Sequence, residues 1–157
     1  MIKKIALIFV VTTSLFSSYT MDYDKNTTGI VRKLKVYKEP KWVSKIELTN
    51  DKKLFFVSPK SMIEFYHQPG KWSDIGVKSE ADFKDLIVTD HATLKPVNAK
   101  TAFFVYGSNQ TSPAGDDLVA FEKEEDAKRF LSSNNGKRIL TFQEVKLSLI
   151  NLLNGRI

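Results

Sequence analysis

Four side chains beyond the first residue could hold a soft or borderline metal: Met21, Met62, His67 and His91. Thioether and imidazole are donors that suit copper, so their spacing decides whether they can act together. Met62 and His67 stand five apart in "SPKSMIEFYHQPG". On a helix that step is about 140°, so the two leave on different faces. Met62 then joins Ile63, Phe65 and Tyr66 on an apolar side. His67 falls near the helix C-terminus, where the helix dipole favours an imidazolium. His91 follows Asp90 at the end of "DLIVTD", where a loop begins. It reads either as an exposed turn histidine or as a ligand or partner contact, and one imidazole does not make a metal site.

Catalytic constellations are missing. The chain has Cys 0, which removes a thiolate nucleophile, thiolate metal ligation and disulfides together. No G-x-S-x-G elbow, H-E-x-x-H pair or phosphate loop occurs, and "NGKR" lacks the glycines and hydroxyl of the last. Asp90 and His91 are adjacent, so on a strand their side chains diverge instead of orienting each other. No enzyme is expected. A stretch of unclear purpose is "VYGSNQTSPAGDDLVAF", a loop of Gly, Ser, Asn, Pro and Asp between two apolar runs.

The start of the chain has the layout of a secretory signal: Lys3 and Lys4, an apolar run from Ile5 to Val11, then small residues near Ser18 and Thr20. That run is well short of the roughly 20 residues of a spanning helix. Residues 1–20 are therefore expected to direct export across the inner membrane and be removed, leaving a periplasmic protein with no stable span. The net charge of +6 includes the two signal lysines, and the rest is spread thinly as on a solvated surface. Without an arginine cluster or interleaved aromatic stripe, nucleic acid is not an expected partner. Hydrophobic residues are 42% of the chain, with 11 Phe, enough for one core without disulfides.

The elements that must position these groups read as α+β. Residues 21–30 look polar and loose, and "DKNTT" within them matches an extended bacterial glycosylation acceptor centred on Asn26. "IVRKLKVY", "KWVSKIEL" and "KLFFV" read as strands. A helix follows from the Ser58 cap with Pro59 at its first position. "DLIVTD", "KTAFFVYG", "DLVAF" and "KRILTF" are further strands, with "EEDAKRFLSSNNG" a second helix. A capping box of Thr141 and Glu144 opens a C-terminal helix over 142–154. Sliding "LFFVSPKSMIEFY" by 65 positions matches Phe56 with Phe121, Met62 with Ala127 and Phe65 with Phe130. This suggests two related strand–helix units, about 31–95 and 96–145, within a domain 31–157.

The order of "EPKWVSKIEL", "KKLFFVSPKSMIEFYHQP", "DLIVTDHATLKPVNAKTAFFVYGS" and "SPAGDDLVAFEKEEDAKRF" resembles the NosL family, the nitrous oxide reductase accessory proteins, from about Arg32 to Val145. The resemblance implies a periplasmic copper-binding protein of two small related units, reminiscent of the organomercurial lyase fold, that supplies Cu(I) to a respiratory copper enzyme. It also implies a Cys-Gly-Met triplet before Pro-x-Trp and a Pro-Met-Gly in the later loop. Counted back from Pro40 and Trp42, the triplet falls on Arg32, Lys33 and Leu34, and Pro113-Ala114-Gly115 stands in the loop. The sulfur donors are gone, so the copper site is expected to be degenerate, with His91 the weak remaining candidate.

Two functions follow from these readings. One is an accessory protein for a copper-dependent respiratory enzyme, either nitrous oxide reductase or a terminal oxidase, working through protein contacts or an atypical weak copper site. The other is a metal-free interaction or scaffold module. The surplus apolar residues of "VKLSLINLLNGRI", with Leu147, Ile150 and Leu153 as candidate contacts, suit a partner or a homodimer.

Overall fold

The computed structural model describes residues 18–156; most of the expected signal segment lies outside the described residues. Two antiparallel units follow one another. The first contains β1 (Ser44–Leu48), β2 (Lys53–Phe56), α1 (Pro59–Tyr66), β3 (Phe83–Thr89) and β4 (Pro96–Asn98), in the sheet order β2-β1-β3-β4. The second contains β5 (Phe103–Ser112), β6 (Gly115–Phe121), α2 (Glu124–Ser133) and β7 (Arg138–Thr141), in the order β6-β5-β7. In each, the first strand is central, the second strand flanks it on one side, and the strand after the helix flanks it on the other. A short helix, α3 (Leu147–Leu153), ends the chain. The class is α+β, built from two related units. Phe56 and Phe121 close β2 and β6, and Met62 and Ala127 are both fully buried on the helices that follow.

The period of two along β5 and β6 explains how the units pack. Phe104, Leu118 and Ala120 face one way and share a core with Ile46, Leu54 and Phe56 of the first sheet and with Met62, Ile63 and Phe65 of α1. Val105, Val119 and Phe121 face the other way, onto Ala127 of α2 and the indole of Trp42. The second sheet is thus covered on both faces. Among the described residues, no helix is long and apolar enough to cross a membrane.

α1 starts as its sequence requires: the Ser58 side chain accepts from the Ser61 amide at 3.2 Å, and Pro59 takes the first position. Four expectations need correction. "IVRKLKVY" is not a strand. The chain reverses over 29–34, with the Gly29 amide donating to Leu34 and the Lys33 amide to Gly29, and Lys33 sits at φ 57. Two short 3-10 turns, Val36–Lys38 and Pro40–Trp42, follow. The Gly-Ser-Asn-Pro stretch is not an open loop but the arm of a hairpin, with Pro113 and Ala114 as its turn. Four β5 residues, Gly107 to Gln110, oppose one on β6 between the pairs Tyr106–Leu118 and Thr111–Asp116. This bulge turns at Gly107, at φ 76, where a Cβ would come within 2.7 Å of Lys137.

The C-terminal helix is shorter than 142–154. The Thr141–Glu144 capping box forms, but it caps a single 3-10 turn, Phe142–Glu144. Val145 leaves the helical region at ψ 87 to bury its side chain, and its carbonyl meets His67 Nε2 at 2.8 Å. Residues 21–30 are laid against the body of the protein. Asp22 pairs with the fully buried Lys45 at 3.2 Å and with Lys53, Tyr23 packs edge-on to Phe55, and the Ile30 amide donates to Phe55 at 2.9 Å.

Candidate functional site

The tip of the β5–β6 hairpin faces the irregular segment 34–42, and a cleft of about 440 Å³ opens between them. Leu34, Lys35, Lys38, Glu39 and Lys41 form one wall, Gln110 to Pro113 form the other, and Trp42 and His91 complete the lining. Pro40 starts the turn that carries Trp42 inward, where the indole is 5% exposed. His91 is fixed by its own backbone, whose amide donates to Ala120 on β6 at 2.9 Å. Its ring meets Trp42 and Phe130 edge-on at 5.7 and 5.2 Å and lies tilted to Phe121 at 5.9 Å.

Burial among these rings, and secondarily the ammonium of Lys41, holds the His91 pKa below its ordinary value. The neutral ring is the form that ligates metals, and its Nδ1 is buried without a hydrogen-bond partner. Among the described residues it has no companion ligands, however. The Asp90 carboxylate is occupied in its own turn, accepting from the Ala92 amide and the Thr93 hydroxyl at 3.2 and 2.7 Å. Among the described residues, no three His, Asp or Glu side chains are grouped so as to hold a metal ion.

The NosL family model matches residues 20–150. This chain belongs to the NosL family. The fold agrees: the crystal structure of the copper chaperone NosL from Shewanella denitrificans superposes with a TM-score of 0.70 over 83% of this chain and 98% of that one, at 21% identity. No curated protein matches the sequence.

In this NosL chain, the three positions where the resemblance places sulfur donors have separate surroundings. Leu34 borders the cleft and is 45% exposed. Ala114, beside the cleft residue Pro113, packs on Val36, Val43, Phe55 and Val57. Arg32 does not line the cleft: its Nη2 donates to Asn154 Oδ1 at 2.6 Å and lies 3.5 Å from Glu64 Oε2. Glu64, with a side chain 5% exposed, also accepts from Arg156 at 2.7 Å and Asn154 at 3.0 Å.

The hairpin tip is anchored from beneath by two groups that sequence reasoning missed. Lys60 Nζ donates to the carbonyls of Ala114 and Leu153 at 2.8 and 3.2 Å, and burial lowers its pKa. The buried Asp117 accepts from the Lys60 amide at 2.8 Å, the Leu118 amide at 2.8 Å and the Ser112 hydroxyl at 2.7 Å. Burial raises its pKa against the pull of these bonds. A lysine after a helix-starting proline and an aspartate in "GDD" look like surface residues; only the packing of α1 under the hairpin encloses them.

Other candidates are placed plainly. Met62 is core, and His67 is the C-cap of α1. Ile150 is fully buried in this chain's own core, with Leu147 and Leu153 packed around it, so Ile150 cannot serve as a partner contact; the half-exposed leucine of α3 is Leu152. Asn26 is exposed in a turn held by the Asp24 carboxylate, which accepts from the amides of Asn26 and Thr27 at 2.8 Å.

Proposed function

We propose that this NosL chain is an exported, periplasmic accessory protein that assists the maturation or copper supply of a copper-dependent respiratory enzyme, nitrous oxide reductase or a terminal oxidase. It acts through protein contact, with a degenerate copper site. The observation that carries this reading is the cleft beside Leu34 and Pro113, which offers one imidazole and no sulfur. Cu(I) favours soft thiolate and thioether donors, so a lone His91 would hold it only weakly. The chain performs no catalysis in this reading.

The test is a Cu(I) titration of the purified protein against a competing chromophoric chelator. No stoichiometric tight binding is expected. Tight binding that His91→Ala abolishes would overturn the degenerate-site reading.

A second reading, a metal-free scaffold module able to form homodimers, is favoured by the Arg32–Glu64–Asn154 contacts, which give the residue at the expected thiolate position a structural role. Deleting the gene and measuring copper in the respiratory oxidases and reductases separates the two: lost copper supports the accessory role, unchanged copper the scaffold. A dimer through α3 would have to cover Leu152, so Leu152→Glu should lower the mass in sedimentation if it forms.

A further inference from the structure

The charge of the cleft is not explained by a lost copper site. Lys35, Lys38 and Lys41 all line it and are all exposed, yet none forms an ion pair among the described residues. Lys35 Nζ donates only to the backbone carbonyl of Asn26, at 2.6 Å. Glu39 is the single acid of the cleft. The facing wall supplies the neutral Gln110 and Thr111, and His91 adds no charge near neutral pH because burial disfavours its imidazolium. The same region exposes apolar surface: Leu34 is 45% and Tyr37 37% exposed.

We propose that this cleft docks an acidic segment of a partner protein, placing carboxylates between Lys38 and Lys41 and an apolar side chain against Leu34 and Trp42. Three exposed lysines around one concavity, none in an ion pair among the described residues, attract negative charge and speed encounter. A free inorganic anion would satisfy the lysines but leave Leu34 uncovered. The volume of about 440 Å³ suits a few side chains better than a single small ion. The proposal rests on the reading that this protein works by contact, and it names the chemistry of the contact.

The experiment is fluorescence anisotropy of the purified full chain with a labelled decapeptide alternating Glu with Leu. Binding should weaken at least about tenfold when Gln replaces Glu in the peptide, in the K38Q/K41Q variant, and between low and roughly 0.3 M salt, where the screening length shortens. The K100Q/K123Q variant, with the same charge change elsewhere, should bind as the wild type does. Absence of binding, equal weakening in both double variants, or displacement by citrate at concentrations matching the peptide's own affinity would overturn the proposal. The Cu(I) titration on the same samples keeps the two failures apart. Cu(I)-free protein that ignores the peptide sinks the docking site alone; tight Cu(I) binding lost in His91→Ala sinks the functional reading alone.

Discussion

Arg32 Nη2 stands 2.6 Å from Asn154 Oδ1, joining the segment that precedes the cleft to the end of α3, 122 residues later. At the position where the resemblance places a thiolate, this side chain thus links two segments distant in sequence. Its guanidinium also helps satisfy Glu64, whose buried carboxylate would otherwise rest on Arg156 and Asn154.

Placing sulfur donors at these positions tests whether the three can share a metal. The variant R32C/L34M/A114M should gain at least about tenfold in Cu(I) affinity over the wild type, because thiolate and thioethers suit that ion. Unfolding in urea should show a loss of about 1 kcal/mol from the missing Arg32 contacts. Unchanged copper affinity would separate these three positions from any common site.

Asp117→Ala should destabilise the protein by about 3 kcal/mol in denaturant unfolding, because the Lys60 amide and Ser112 hydroxyl would lose a buried acceptor. Asp117→Asn, which keeps an acceptor for the amides, should cost about 1 kcal/mol. The raised pKa of Asp117 gives a pH signature. Between the unfolded pKa and the higher folded one, the native state binds more protons, so stability falls as pH rises through that window. Asn at this position should abolish the slope.

Asp22 behaves in the opposite sense. Its hydrogen bond from Lys53, together with Lys45, holds its carboxyl well below the usual range. Its contribution is present above about pH 4 and is lost as pH falls through the folded value. The carboxylate is half exposed, so Asp22→Asn should cost below about 1 kcal/mol. The loss should be measurable at pH 7 and vanish in strong acid.

His91 should titrate below its ordinary value in an NMR pH series, because its aromatic surroundings disfavour the imidazolium. The unfolded chain binds the proton more readily, so stability should decline as pH falls below about 6.5. His91→Phe should remove that decline. An unshifted resonance would mean that water reaches the ring.

Asn26 is exposed in its turn. In a host that glycosylates such acceptors, intact-mass analysis of the exported chain should show a glycan mass that Asn26→Gln eliminates.

Local signals were legible where the physics is local. The Ser58 cap with Pro59, the Thr141–Glu144 box and the β-rich runs around Phe55, Ile87 and Phe104 each formed as their residue types require. The match of Phe56 with Phe121 and Met62 with Ala127 pointed to two related strand–helix units, because equivalent core positions demand apolar side chains in both. The irregular path of 31–42 was not legible. Its alternation mimics a strand, but the Gly29–Leu34 reversal buries Val36 and leaves Leu34 exposed.

From its residues alone the chain specified an α+β fold and ruled out cysteine chemistry, since composition and period need no partner to be read, while the family resemblance marked the ligand positions that carry no sulfur. Tertiary structure alone decided that Arg32 turns to Asn154, that Lys60 and Asp117 lie under the hairpin, and that three lysines and His91 share one cleft. Each of these depends on groups distant in sequence being enclosed or brought together by packing, and burial and proximity of that kind have no local signature.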